Sequence, residues 1–149
     1  MARVYVVDAS VWVSRFVPGD EHHLLSRSWF AALVTEGDKV VSPALLLPEL
    51  AGAIARRTGS ADLAIRAVEL VQEYPIVRLV PIDALVAEVA ARLAGELRLR
   101  GADAVYLAVA YQLGIPLITW DHEQLAKGVR VATVLTPEQA FKGRLSSGK

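Results

Sequence analysis

This sequence contains no cysteine. Disulfides and thiolate metal sites are therefore excluded, and the absence is compatible with a reducing compartment. Neither sign of charge is in excess. Sixteen Lys and Arg balance sixteen Asp and Glu, so net charge argues neither for nor against a nucleic-acid partner, and only local patches could. No apolar run is long enough to span a bilayer. The best candidate, Ala104 to Trp120, is short of the ~20 residues a spanning helix needs, and Gly114 and Pro116 interrupt it. The opening MARVYVVDASVW places an acid directly after a short apolar run, which does not fit a signal peptide. There is no glycine-rich turn after the first predicted strand, no two-residue hairpin turn between strands, no internal repeat and no low-complexity linker.

What is present is apolar. Of 149 residues, 54% are hydrophobic, and the mean hydropathy is +0.38. That is high for a small domain and predicts a thoroughly buried sheet, with some apolar surface left for a partner. The length suits one domain, expected over residues 1–142, with a frayed tail over 143–149.

The run from Arg3 to Val7, β-branched and aromatic, predicts a buried strand of the parallel kind. Ser10 is the expected cap of a short helix ended by Pro18 and Gly19. A helical spacing of apolar residues follows from Glu21 to Glu36, and KVV is a second strand. Ser42-Pro43 has the form of a helix start, with the helix running to Gly59 and kinked at Pro48. Ser60 caps the next helix, and IVRLVP is a third strand. Asp83 caps a long helix ended by Gly101. A further helix runs from about Ala102 to Leu113, IPLIT is a fourth strand, VRVATVL a fifth, and PEQAF a last short helix. Strands alternating with helices predict an α/β fold with a mostly parallel five-stranded sheet between helical layers.

In such folds, ligands bind beyond the carboxyl ends of the strands. Asp8 follows the first strand and Asp121 the fourth. Asp103 lies in the first turn of the helix that leads back into the fourth strand, so the reversal of the chain returns it to the same edge. Glu49, placed about two turns into its helix, leans over that edge. Each acid has a plain structural use. Asp8 and Asp121 suit helix N-caps, Asp103 suits a helix dipole, and Arg56 or Arg57 could partner Glu49. Together, though, four carboxylates on one apolar edge repel one another unless some are protonated or a cation neutralises them. Hard oxygen donors without histidine or cysteine favour Mg²⁺ or Mn²⁺ over zinc.

Four stretches, VYVVDASVWV, LLLPELAGAI, GADAVYLAVA and LITWD, carry these acids in order. In them the chain resembles the PIN-domain family, and within it the VapC-like toxins of toxin–antitoxin pairs. The resemblance covers nearly the whole sequence. It implies a three-layer α/β/α fold and a Mg²⁺- or Mn²⁺-dependent ribonuclease site made by Asp8, Glu49, Asp103 and Asp121, with Ser10 and Thr119 as supporting hydroxyls. It also implies a cytoplasmic homodimer, an RNA substrate and a small cognate antitoxin. Trp120 fills a position that is often smaller in the family, and His122 and Glu123 follow where members vary.

Asp8, Asp103 and Asp121 are expected to hold the ion or ions, with Glu49 completing the shell or activating water. His22, His23 and His122 are read as surface residues. Trp12 and Trp120 flank the acids and are expected to pack in the core, base stacking being their other use. Arg15, Arg56, Arg57, Arg98, Arg100, Lys127 and Arg130 are scattered cations. The alternative to an enzyme is a catalytically silent PIN-like module that binds RNA or protein. A dehalogenase-type phosphatase would need an acid where Ser10 stands. A receiver domain would need an acidic pair near the first strand, and a dinucleotide-binding domain a glycine-rich turn.

Overall fold

The computed structural model describes residues 2–147. Five strands form one sheet: β1 (Val4–Val7), β2 (Lys39–Pro43), β3 (Val77–Val80), β4 (Leu117–Ile118) and β5 (Val134–Leu135). Their order is β3-β2-β1-β4-β5, and every neighbouring pair is parallel. The chain builds outward from β1 to β3, then returns to add β4 and β5 on the other side. β1 and β4 therefore flank the point where the order reverses. The expected five-stranded parallel sheet is observed.

Alternation along β1 sends side chains into two cores. Tyr5 and Val7 join α1 (Ala9–Phe16), α2 (His23–Glu36), α3 (Leu46–Thr58), α4 (Ala61–Glu73) and α8 (Pro137–Ser147) in one, around Trp12, Trp29 and Phe30. Val6 faces the other, where Leu117 meets α5 (Ala84–Leu97) and α6 (Gly101–Leu113). The result is three layers, helices on both faces of the sheet. A short α7 (His122–Lys127) and a 3-10 turn (Gly128–Arg130) connect β4 to β5. α6 is apolar nearly all round because it is wedged between α5 and the sheet, and Tyr106 to Ala110 are all buried. Gly114 ends it at φ 66° with its N–H on the Ala110 and Tyr111 carbonyls, a left-handed cap that glycine adopts without strain. Among the described residues, no helix is long and apolar enough to cross a membrane.

Several local expectations are corrected. Ser42 and Pro43 end β2 rather than start a helix. Ser42 Oγ is buried and donates to the Val7 carbonyl at 2.8 Å, which ties it to β1 rather than to a helix start. α3 begins at Leu46, which places Pro48 in the first turn. There its missing N–H has no intrahelical acceptor to lose, so no kink follows. Glu49 accordingly sits in the first turn, not the second. The cap of α1 is Asp8, not Ser10. α5 ends at Leu97, with Arg98 left-handed at φ 56°, and Gly101 opens α6. β4 and β5 have two residues each, shorter than the apolar runs suggested. α8 continues to Ser147, through most of the expected tail, whose last two residues lie outside the described ones.

Candidate active site

All four predicted acids lie at the carboxyl edge of the sheet, around the reversal between β1 and β4. Asp8 leaves β1 and caps α1, its carboxylate buried. Its Oδ2 accepts from Ser10 N at 3.3 Å, Ser10 Oγ at 2.7 Å and Thr119 Oγ1 at 2.9 Å. The same two hydroxyls reach across to the chain after β4. Trp120 N donates to Ser10 Oγ at 3.0 Å, and Asp121 N donates to Thr119 Oγ1 at 2.9 Å. Ser10 and Thr119 therefore fix the Asp8 rotamer and the path of the β4–α7 connection together. Both hydroxyls donate to Asp8.

Asp103 and Asp121 are joined twice. Arg100 donates from Nε to Asp103 Oδ2 at 3.2 Å and from Nη2 to Asp121 Oδ2 at 3.3 Å. Gln124, fully buried, donates from its backbone N to Asp121 Oδ1 at 3.0 Å and from Nε2 to Asp103 Oδ1 at 3.4 Å. Asp121 thus caps α7 while facing Asp103, so its structural use and its place in the site coexist. Glu49 has neither suggested partner. Arg57 pairs with Asp20 at 2.7 Å, and Arg56 makes no ion pair among the described residues. Glu49 Oε1 and Tyr106 Oη are both buried outside good hydrogen-bond geometry, with the phenol close enough to Glu49 to hold down part of the rise in its pKa.

The electrostatics make one site of the four. Burial pushes the Asp8 carboxyl up, against the hydrogen bonds from Ser10 and Thr119, and the charge of Asp121 adds to the rise. Burial likewise raises Glu49, and the charges of Asp8 and Asp103 raise it further. Asp103 is raised by burial, then by Asp121 and Asp8, with Arg100 opposing. Tyr106 stays a phenol, held far above its ordinary range by burial and by the charges of Asp8 and Glu49. Each shifted acid feels at least one of the others, which is the signature of like charges sharing a site.

Carboxylate oxygens are the donors a hard divalent cation takes, and a guanidinium already lies between two of these acids as a positive bridge. Among the described residues no three acids or imidazoles form a finished ligand cage. Arg100 occupies the gap between Asp103 and Asp121 instead.

The repulsion predicts a pH effect. The folded pKa of Glu49 is raised above its ordinary 4.5. Its contribution to stability is therefore full below that value and is lost as pH rises through the folded pKa. In EDTA at about pH 7.5, Glu49→Gln is expected to melt a few degrees above wild type, at ~2–4 °C per kcal/mol for a chain this size. The gap should close by about pH 4. Thermal melts at both pH values check this, and a gap of opposite sign would refute the repulsion.

Three participants escaped the sequence reading. Arg100 was only one of several scattered cations. Gln124 stands three residues after Asp121, a capping-box spacing that signals a helix start and nothing about Asp103. Tyr106 reads as core.

The sequence profile of the PIN domain matches residues 5–129, a span that holds all four acids. The chain belongs to the PIN domain family. Solved structures share its fold. VapC20 of Mycobacterium tuberculosis, described as a toxin that cleaves the sarcin–ricin loop, superposes with a TM-score of 0.71 at 24% identity, covering 82% of this chain and 93% of its own. PAE2754 of Pyrobaculum aerophilum is 26% identical with a TM-score of 0.64, covering 99% of this chain and 98% of its own. A chain of a toxin–antitoxin complex from Klebsiella pneumoniae gives 0.62 at 20% identity, with 89% and 97% covered. No curated sequence relative matches. The PIN-domain match ends before β5 and α8, so the site lies wholly within it.

Proposed function

We propose that this PIN domain is a Mg²⁺- or Mn²⁺-dependent endoribonuclease and the toxin of a toxin–antitoxin pair. The observation that carries the reading is the convergence of four carboxylates at the strand-order reversal, three of which, Asp8, Glu49 and Asp103, are raised by burial and by their acidic neighbours. Neighbours described as an RNA-cleaving toxin and a toxin–antitoxin complex support it. Asp8, Asp103 and Asp121 would hold the cation, with Glu49 beside them. When bound, such an ion lowers the pKa of coordinated water and stabilises charge on the phosphate.

The chain's own residues do the rest. Ser10 and Thr119 hold Asp8 in one rotamer. Thr119 and Gln124 fix the backbone on either side of Asp121's carboxylate. Glu49, its proton affinity raised by burial and by the neighbouring acids, would take a proton from the attacking water. Arg100 supplies a guanidinium that suits a phosphate as well as a carboxylate. A cytoplasmic homodimer follows from the same reading. Exposed Leu63, Ile65, Ile82 and Leu85 supply apolar surface for a second copy or an antitoxin.

Thr119→Val separates support from chemistry. It removes the donor to Asp8 and the acceptor for Asp121 N. Stability should fall by about 1–3 kcal/mol and cleavage by about 10- to 100-fold, the scale of losing an orienting partner. Thermal melts and single-turnover cleavage measure the two.

The test of the function is to map cleaved RNAs after brief induction of wild type and of Asp8→Asn, with and without the cognate antitoxin. Discrete cuts with wild type alone, suppressed by the antitoxin, support the proposal. Equal cutting by Asp8→Asn would end it, and no cutting by either would favour a silent binding module.

A further inference from the structure

A cleft of roughly 540 Å³ opens beside the carboxylates on the α1–α3 side. Its inner end is Ser10 and Glu49, its wall is His22 and Trp120, and its outer rim carries Arg56 and Arg57. The reaction as described uses only the inner end.

The wall is a built surface. The His22 and Trp120 rings stack with centroids 3.8 Å apart and planes within 5°. Trp120 is held at two points, by its backbone N on Ser10 Oγ and by Nε1 on Ser26 Oγ at 2.9 Å. Ser26 Oγ bonds Ser14 Oγ at 2.6 Å, and Ser14 Oγ donates to the Val11 carbonyl at 2.8 Å. This buried chain of hydroxyls fixes the indole, and Ser10 ties it to Asp8 itself. The shelf and the carboxylates therefore hold a set distance. Both tryptophans are expected in the core. Trp12 is fully buried there, and Trp120 is half-buried, packing against that core while lining the cleft.

The rim has a polarity. Arg57 is neutralised by Asp20, but exposed Arg56 has no ion pair among the described residues and lies at the opposite end of α3 from Glu49. Positive charge outside and an aromatic face between it and the carboxylates suit a flat base attached to a phosphate.

We propose that this cleft holds one unpaired nucleotide of the RNA next to the bond that is cut, with its base on the His22–Trp120 shelf and its phosphate on Arg56. The proposal rests on the nuclease reading and deepens it.

The experiment uses a fluorescent single-stranded RNA of about 10 nucleotides. Its binding is followed by anisotropy on Asp8→Asn protein, alone and combined with His22→Ala, His22→Phe or Arg56→Gln. His22→Ala should weaken binding roughly 5- to 150-fold, the fold-change equivalent to the ~1–3 kcal/mol of a base–aromatic stack. His22→Phe, which keeps a ring, should restore most of it. Arg56→Gln should weaken binding and lower the slope of log K against log salt by about 0.7, one phosphate contact on a single strand. In otherwise wild-type protein, His22→Ala should raise KM and leave kcat unchanged. Binding untouched by His22→Ala and Arg56→Gln would overturn the proposal. So would RNA binding left intact while affinity for the antitoxin falls, since the occupant would then be protein. Failure of the nuclease reading shows separately, as wild-type protein that cuts no RNA.

Discussion

Replacing Asp8 by asparagine is expected to cut RNA cleavage by at least about 10²–10³-fold, the scale of losing one preorganised electrostatic group at a reacting centre, without unfolding the protein. The two effects separate because Asp8 has two uses. As a cap and acceptor it takes three donors on one oxygen, and an asparagine carbonyl oxygen can accept the same three. As a charge it is buried beside Asp121, and its carboxyl is raised by burial. Folding therefore works against that charge. Asp8→Asn should melt no lower than wild type in EDTA at neutral pH, while its cleavage is lost. Purified proteins, single-turnover cleavage and thermal melts decide it. A variant that keeps wild-type rates would remove Asp8 from the chemistry, and one that unfolds would show the cap to outweigh the repulsion.

The second large effect is expected from chelation. Cleavage should vanish in EDTA and return with Mg²⁺ or Mn²⁺. Binding should also be visible without any reaction. A ligand at about 100 times its Kd stabilises by ~2.7 kcal/mol, or about 5–10 °C for a chain of this size. Wild type should gain that much on adding metal, and Asp8→Asn markedly less. Arg100 gives a finer control. It bridges Asp103 and Asp121 and must yield if a cation comes between them, so Arg100→Gln should tighten metal binding measured calorimetrically. A melt that ignores metal in wild type would refute the metal site, whatever the cleavage assay shows.

Much of this arrangement was legible in the residues. Asp8 and Asp121 follow apolar strands directly, and a parallel sheet puts such positions on one edge. Asp103 could be returned to that edge because Gly114 and Pro116 force the reversal between helix and strand. Glu49 was given the right neighbourhood at the wrong depth. Ser42-Pro43 has the chemistry of a helix start, but the Ser42 hydroxyl goes to Val7 across the sheet, a partner 35 residues away that local sequence does not announce. Arg100, Gln124 and Tyr106 were missed for the same kind of reason. What each does depends on side chains brought near by the fold, and only their local uses, as surface cation, capping residue and core aromatic, leave a pattern in the string.

The order of strands also has a meaning in time. Asp8 and Glu49 belong to the half of the chain made first, Asp103 and Asp121 to the half made last. β4 must dock against β1 before Thr119 can reach Asp8. A partly synthesised chain therefore carries only half of the carboxylates, with Asp8 unsupported from β4. On the toxin reading, an incomplete chain lacks the finished site until the sheet has closed.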